Sequence, residues 1–403
     1  MGRSIWPCVA LALLLGAAPA TAVPDALPAA GVEISSYARD TGISREDAAA
    51  RLDEQARVPS LTTQARRRLG SAFGGIWIDV DDQDRIKFGV VADRFDDGSG
   101  TAHELLRSAG LDGRADVVPY AHSERELAAM QDELTRELEV PNQQAAFPVG
   151  VETDVPRGRL RLRIPPPGTV DMSQREAVSR IADRLGDVVE VEIRSGVGQL
   201  DSCSAAAWCD PPLRGGTRLV YGGVGECSSG FVATSPGGTR YLMTAAHCFS
   251  GRSGTWNTHF ADGSSHDIGA PHSAVSAPTG DAGILKINNP SGWGLPARRI
   301  RIQSDEDYII TDSDSATVGS RICFTGSRTD SNCGVVTAGR ATRLGIQETL
   351  RADYCATGGD SGGSVFASHT AYGTHSGHYG SCDSVFYDMG FAKLWLNVDP
   401  ARP

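Results

Sequence analysis

Eight of the nine cysteines fall between Cys203 and Cys382, and the ninth, Cys8, lies close to the N-terminus. The long stretch between Cys8 and Cys203 has none. A chain that gathers its cysteines in one half reads as two structures in series, of which only the second is built around covalent cross-links. The start of the chain supplies the reason. Arg3, an apolar run from Cys8 to Ala18 and the small-residue pattern Ala20-Thr21-Ala22 have the form of an export signal over residues 1–22. The apolar run is too short to cross a bilayer, and no later stretch is long enough, so a membrane anchor is not expected. Outside a reducing cytosol an even set of cysteines reads as disulfides, although eight allow about 105 connectivities.

The two halves also differ in texture. Residues 23–200 are rich in Arg, Asp and Glu and carry helix starts of capping-box form at Ser44, Ser123 and Ser173. Two hairpin patterns, around Asp81–Asp84 and around Pro156-Arg157-Gly158, are each followed by a helical stretch and one more strand. The reading is an α+β first half of two ββαβ-like units, about 70–140 and 145–195, after a helical N-terminal segment. From about residue 201 to 403, short apolar runs such as "GTRYLMTAAH", "AGILKI" and "GGSVFA" alternate with Gly- and Ser-rich turns, which predicts an all-β fold. A short terminal helix is expected from Phe391 to Val398, and the junction between the halves falls between 195 and 221. A net charge of −11 argues against nonspecific nucleic-acid binding.

Three stretches of the second half carry chemistry. "LMTAAHC" ends an apolar strand on His247, "GDAGILKI" opens one after Asp281, and "TGGDSGGSVF" sets Ser361 among glycines. A serine hydroxyl becomes a useful nucleophile when an adjacent histidine takes its proton, and that histidine needs a carboxylate to fix its tautomer. Charge developing on a carbonyl oxygen needs fixed N–H donors, and glycines let the backbone approach. Taken singly, His247 also reads as a buried structural histidine and Asp281 as a strand-start residue. The scattered histidines give no metal-ligand pattern, and no cofactor is called for.

Together, "TAAHC", "DAGIL" and "GDSGG" resemble the chymotrypsin-fold serine peptidases, and more narrowly the secreted bacterial branch of the streptogrisins and α-lytic protease. The resemblance implies an all-β double six-stranded β-barrel (chymotrypsin-like) over 201–403, preceded by a propeptide over 23–200 that aids folding and inhibits the enzyme. It implies a secreted endopeptidase made as a zymogen, acting on polypeptides and monomeric when mature. It assigns His247, Asp281 and Ser361 as the catalytic triad and the N–H groups of Gly359 and Ser361 as the oxyanion hole. Ser376 would support Asp281, and Ser376, Gly377 and His378 would pair with substrate as an added strand. Pairing of Cys227 with Cys248, Cys323 with Cys333 and Cys355 with Cys382 follows from it, leaving Cys203 and Cys209 to close a loop of their own.

The sequence departs from the branch at Phe324, where an arginine usually meets the carboxylate equivalent to Asp360; Arg321 or Arg328 is expected to substitute. Asp353 and His375 disagree about the residue before the scissile bond, the first pointing to a basic and the second to an acidic side chain, with an apolar one also open. A catalytically inactive binding protein on this fold would be expected to have lost a triad member, and none is lost. A secreted serine esterase shares the chemistry but not the motif contexts.

Overall fold

The computed structural model describes residues 31–143, 145, 149–193, 199–200, 212–260, 264–295, 298–302 and 307–402. The signal stretch 1–22, Cys203 and Cys209 lie outside the described residues. The chain opens with helices α1 (Gly31–Thr41) and α2 (Arg45–Leu69), the second capped by Ser44, whose hydroxyl accepts the Asp47 N–H. The ββαβ pattern then occurs twice. Its first copy is β1 (Phe73–Asp79), β2 (Arg85–Val91), α3 (Phe95–Ser108) and β3 (Ala115–Tyr120), with β1 antiparallel and β3 parallel to β2. Helix α4 (Glu124–Gln143) links the copies, and its start is the expected capping box: Ser123 and Glu126 each accept the other's backbone N–H.

The second copy is β4 (Gly150–Asp154), β5 (Arg159–Ile164), α5 (Met172–Leu185) and β6 (Val189–Ile193), paired in the same sense. Here the cap lies two residues before the expected Ser173. Asp171 is the cap, and Gln174 accepts its N–H through Oε1. Strand β7 (Gln199–Leu200) follows.

Past residue 212 the structure is almost entirely β. Strands β8 (Arg218–Tyr221), β9 (Val224–Ser228), β10 (Val232–Thr234), β11 (Arg240–Thr244), β12 (Trp256–His259), β13 (Ser265–Val275) and β14 (Ala282–Ile287) form one curled sheet in the order β10-β11-β14-β13-β12-β8-β9. It has seven strands where six were expected. The extra one arises because a single bent segment supplies both edges. Ser229 still bonds to Thr217 beside β8, while Gly230 and Phe231 already bond to Met243 on β11.

A hairpin of β15 (Arg299–Arg301) and β16 (Asp307–Ile309) and the short β17 (Asp312–Ser313) lead to the second barrel. Its strands are β18 (Arg321–Gly326), β19 (Asp330–Arg343), β20 (Ile346–Ala352), β21 (Ser364–Ala367), β22 (Thr370–His378) and β23 (Ser384–Asp388). They run β18-β21-β22-β23-β20-β19, and β18 pairs back onto β19, so this barrel closes with six strands. Helix α6 (Met389–Leu396) ends the fold, two residues earlier than the sequence reading. Disulfides join Cys227 to Cys248, Cys323 to Cys333 and Cys355 to Cys382.

The N-terminal half is bonded to this second barrel. Strand β4 pairs antiparallel with β19 (Ala341 opposite Glu152), extending the barrel sheet by β4, β5 and β6. One apolar core runs across the seam, from Leu134, Leu160 and Ile181 to Ile322, Phe324 and Leu350. The Gln55 amide bonds to both the N–H and the C=O of Arg321, as a strand would.

Candidate active site

Strands β11 and β14 run side by side with Thr244 opposite Gly283. That register brings the residue just before β14, Asp281, against the short turn Ala246–Phe249 that follows β11. The Cys227–Cys248 bridge pins this turn to β9. Asp281 is buried and holds His247 at two points: Oδ1 accepts the backbone N–H and Oδ2 lies 2.9 Å from Nδ1. A proton on Nδ1 donated to the carboxylate leaves Nε2 as an acceptor. Nε2 lies 2.9 Å from Ser361 Oγ.

Ser361 stands in the loop between β20 and β21, and the loop's shape depends on its glycines. Gly362 has φ of +87°, and a Cβ there would lie 2.0 Å from the Thr244 hydroxyl. The two peptide planes of interest are held by their carbonyls. The Gly358 carbonyl accepts from Arg328 Nε at 3.2 Å, and the Asp360 carbonyl accepts the Gly363 N–H at 2.9 Å. In a trans peptide the N–H points opposite its C=O, so these bonds also orient the N–H groups of Gly359 and Ser361.

Asp360 and Ser376 are placed differently from what the resemblance implies. Neither Arg321 nor Arg328 meets Asp360 with its guanidinium. Arg321 stacks on Tyr37 and faces Asp40, and Arg328 reaches Gly358. The fully buried Asp360 carboxylate is instead satisfied by the N–H groups of Thr357, Arg328 and Thr329 and by the Thr329 hydroxyl. Ser376 does not bond to Asp281, whose oxygens are both engaged by His247. Its Oγ is buried without a hydrogen-bond partner, at the point where the pairing of β22 with β23 slips by one residue. The stretch Gly359-Asp360-Ser361-Gly362-Gly363 has G-x-S-x-G spacing, but in keeping with its different context it joins two strands, whereas the esterase elbow joins a strand to a helix and puts the serine first in the chain.

The residues around the pocket also sort differently from the sequence reading. Asp353 is exposed and its carboxylate accepts the Val335 N–H, turned toward β19. Because neighbours on an extended chain point to opposite sides, it is Tyr354 that turns inward. Its hydroxyl lies 2.9 Å from Nδ1 of the buried His375, and Phe324 stacks on its ring at 4.8 Å. Phe324 thus occupies the usual arginine position as part of an aromatic cluster with Tyr354 and His375. His375 is carried beside the nucleophile, since its C=O and N–H bond to Gly362 and Gly363. Gly377 and His378 pair with Leu200 and Gln199 of β7. Tyr354 was missed, although the alternation around Cys355 could have pointed to it.

Among the described residues, one cluster has metal-ligand spacing: Cys227, His247 and Cys248. Both sulfurs are spent in a disulfide, so it does not fit a metal.

Residues 227–395 match the trypsin family. Glutamyl endopeptidase 2 of Streptomyces griseus is 35% identical over 169 residues, 41% of this chain and 85% of that protein. Streptogrisin-D of Streptomyces griseus is 29% identical over 286 residues, 70% of this chain and 64% of its own length. That match is longer than the whole of residues 201–403, so it extends into the N-terminal half. A solved glutamic acid specific serine protease that uses a histidine triad in substrate binding shares 30% identity over 46% of this chain and 99% of its own, with a TM-score of 0.41.

Proposed function

The chain belongs to the trypsin family of serine peptidases, and on that premise we propose that it is an endopeptidase zymogen with Ser361 as nucleophile and a preference for an acidic residue before the scissile bond. One observation carries the reading: Asp281, His247 and Ser361 stand in a line of hydrogen bonds of 2.9 Å each. His247 takes the Ser361 proton as Oγ bonds to the substrate carbonyl carbon. Asp281 stabilises the imidazolium, and the proton then passes to the departing amine. The oxyanion is held by the N–H groups of Gly359 and Ser361, whose peptide planes are fixed before substrate arrives, so little reorganisation is needed. Water hydrolyses the acyl-enzyme by the same steps in reverse. An incoming substrate adds a strand along Ser376, Gly377 and His378.

The acidic preference rests on the side chains that face the substrate strand. With Asp353 turned to Val335, His375 on β22 is the basic side chain that the sequence set against it, and Tyr354 fixes its ring. The similarity to a glutamyl endopeptidase points the same way. Residues 1–22 direct export, 23–200 form the propeptide and 201–403 the peptidase. The docking of β4 on β19 supports a propeptide that templates the second barrel.

An organophosphonate tests the core of this reading. It should label Ser361 in the wild type and fail to label the His247→Ala variant; equal labelling would remove the activated serine. A peptide-library profile tests the preference. His375→Ala should lose cleavage after Glu more than cleavage after Leu, and an equal loss of both would refute it.

A further inference from the structure

Two buried histidines of β22, His375 and His378, lie three residues apart and yet share one face of the sheet. Side chains alternate along a strand, so residues at that spacing ordinarily point to opposite sides. Here the pairing with β23 slips by one residue at Ser376. His375 stands opposite Phe386 and His378 opposite Ser384, so three steps on β22 match two on β23. Phe386 and Ser384 lie on the same face, and directly opposed residues share it, which puts both histidines there. That face is the inner one of the second barrel. Phe386 also stands opposite Leu350 and Ser384 opposite Ala352, and Leu350, Ala352, Tyr354 and Phe386 belong to its buried apolar core. Tyr354 spans the two positions. Its hydroxyl lies 2.9 Å from His375 Nδ1, and its carbonyl accepts at 2.8 Å from the hydroxyl of Ser384, across from His378.

We propose that His375 and His378 together hold the substrate's acidic side chain, one imidazole to each carboxylate oxygen, so that His378 is a second specificity-determining residue. The assignment rests on the acidic preference proposed above and adds a partner to it. Two ladder steps separate the histidines by about 7 Å, a gap that a carboxylate can bridge by accepting from both rings. With Nδ1 of His375 engaged by Tyr354, Nε2 is the nitrogen that meets the carboxylate. The pair also stands close to the reaction, because the backbone of His375 bonds to Gly362 and Gly363, the residues just after Ser361. The chemistry sets the selectivity. A glutamate accepts at both oxygens and carries the charge that strengthens each bond. A glutamine of the same shape offers one acceptor and no charge. A leucine in the same place leaves both imidazoles facing a hydrocarbon, at the cost of stranded polar groups.

The test uses enzyme matured from the full-length chain, with active sites counted by organophosphonate labelling. Its substrates are peptides alike but for Glu, Gln or Leu before the scissile bond. The wild type should favour Glu over each of the others by at least about tenfold in kcat/KM. His378→Ala should lower kcat/KM for the Glu peptide by about tenfold or more, with cleavage after Leu little changed. His378→Gln keeps a donor without the charge and should narrow the gap between Glu and Gln. An unchanged ratio of Glu to Leu in His378→Ala overturns the pair; if His375→Ala then loses that ratio, the acidic preference stands on His375 alone. A wild type that favours Glu over Leu but treats Glu and Gln alike overturns the pair with no variant needed. A wild type indifferent between Glu and Leu sinks the acidic preference itself, and the pair with it.

Discussion

A buried carboxylate beside the nucleophile needs compensation, and Asp360 receives it from three backbone N–H groups and one hydroxyl, not from a guanidinium. This frees Arg328 for a different task. Its Nε holds the Gly358 carbonyl, and through the rigid peptide plane it sets the direction of the Gly359 N–H. Arg328→Ala should therefore act on the transition state more than on substrate binding. Removing an oxyanion donor outright lowers kcat by about 100- to 1,000-fold, so loosening one should lower kcat by about tenfold with KM little changed. Steady-state kinetics on a peptide ending in Glu before the scissile bond measure this. A rise in KM at constant kcat would place Arg328 in substrate binding instead. None of this was open to sequence reasoning, which could only supply a cation for Asp360 by type. A side chain that holds a backbone carbonyl has no motif.

At the level of strands and helices, much of the candidate site's geometry was legible, and the reason is local. His247 and Asp281 each border an apolar strand, and the glycines around Ser361 serve turns that exclude a Cβ; such signals lie within a few residues. What escaped depends on partners far apart in the chain, and the seam between β4 and β19 shows why. Glu152 and Arg343 are each 1% exposed, paired at 2.9 Å, yet 191 positions apart. Each looks like an ordinary surface charge in the sequence. Removing one member of a buried pair strands the other, at about 3–5 kcal/mol, whereas replacing both by apolar residues is often neutral. Glu152→Ala should thus lower the unfolding free energy of the uncut chain (Ser361→Ala background) by about that much, and Glu152→Leu with Arg343→Met should recover only part of it, because Arg163 and Arg351 face the same carboxylate. Denaturant titration decides, and a loss below about 1 kcal/mol for the single variant would contradict the assignment. Helix α6 offers a second test through Asp388, which caps the helix by accepting the Phe391 N–H. Burial pushes its carboxyl up to about 7, against hydrogen bonds from Ser315 and the helix backbone. A pKa raised on folding means stability is full below the unfolded value near 3.8 and declines as pH rises toward 7. Asp388→Asn removes the titration and keeps an acceptor. Its stability relative to wild type should therefore climb between pH 4 and pH 7, and parallel curves would show that Asp388 carries no such linkage.

For the molecule as a whole, the question is why a double barrel should be made with a second protein's worth of chain attached. The second barrel closes through pairings distant in sequence, such as β18 with β21 and β20 with β23, and contacts of that kind fold slowly because loop entropy is lost before they form. The N-terminal half contributes to this barrel in particular. It adds three strands to the edge of β19, bonds Gln55 to the backbone of Arg321, donates the Ile78 N–H to Val318, and buries the Glu33 carboxylate against Tyr308 and the Ser368 N–H. Its apolar core is continuous with that of the barrel, so on the proposed role of the N-terminal half the barrel would fold against that surface. A template of this type lowers the barrier without being needed in the product, and the released enzyme would then be held by slow unfolding. Refolding residues 201–403 from denaturant, alone and with 23–200 added in trans, tests the argument through recovered peptidase activity. The yield should be low alone and rise with added N-terminal half. Glu152→Ala in the added half should weaken the rescue, because the strand that docks on β19 carries that charge. If 201–403 alone regains full activity at the same rate, the seam is a storage contact and the barrier lies elsewhere.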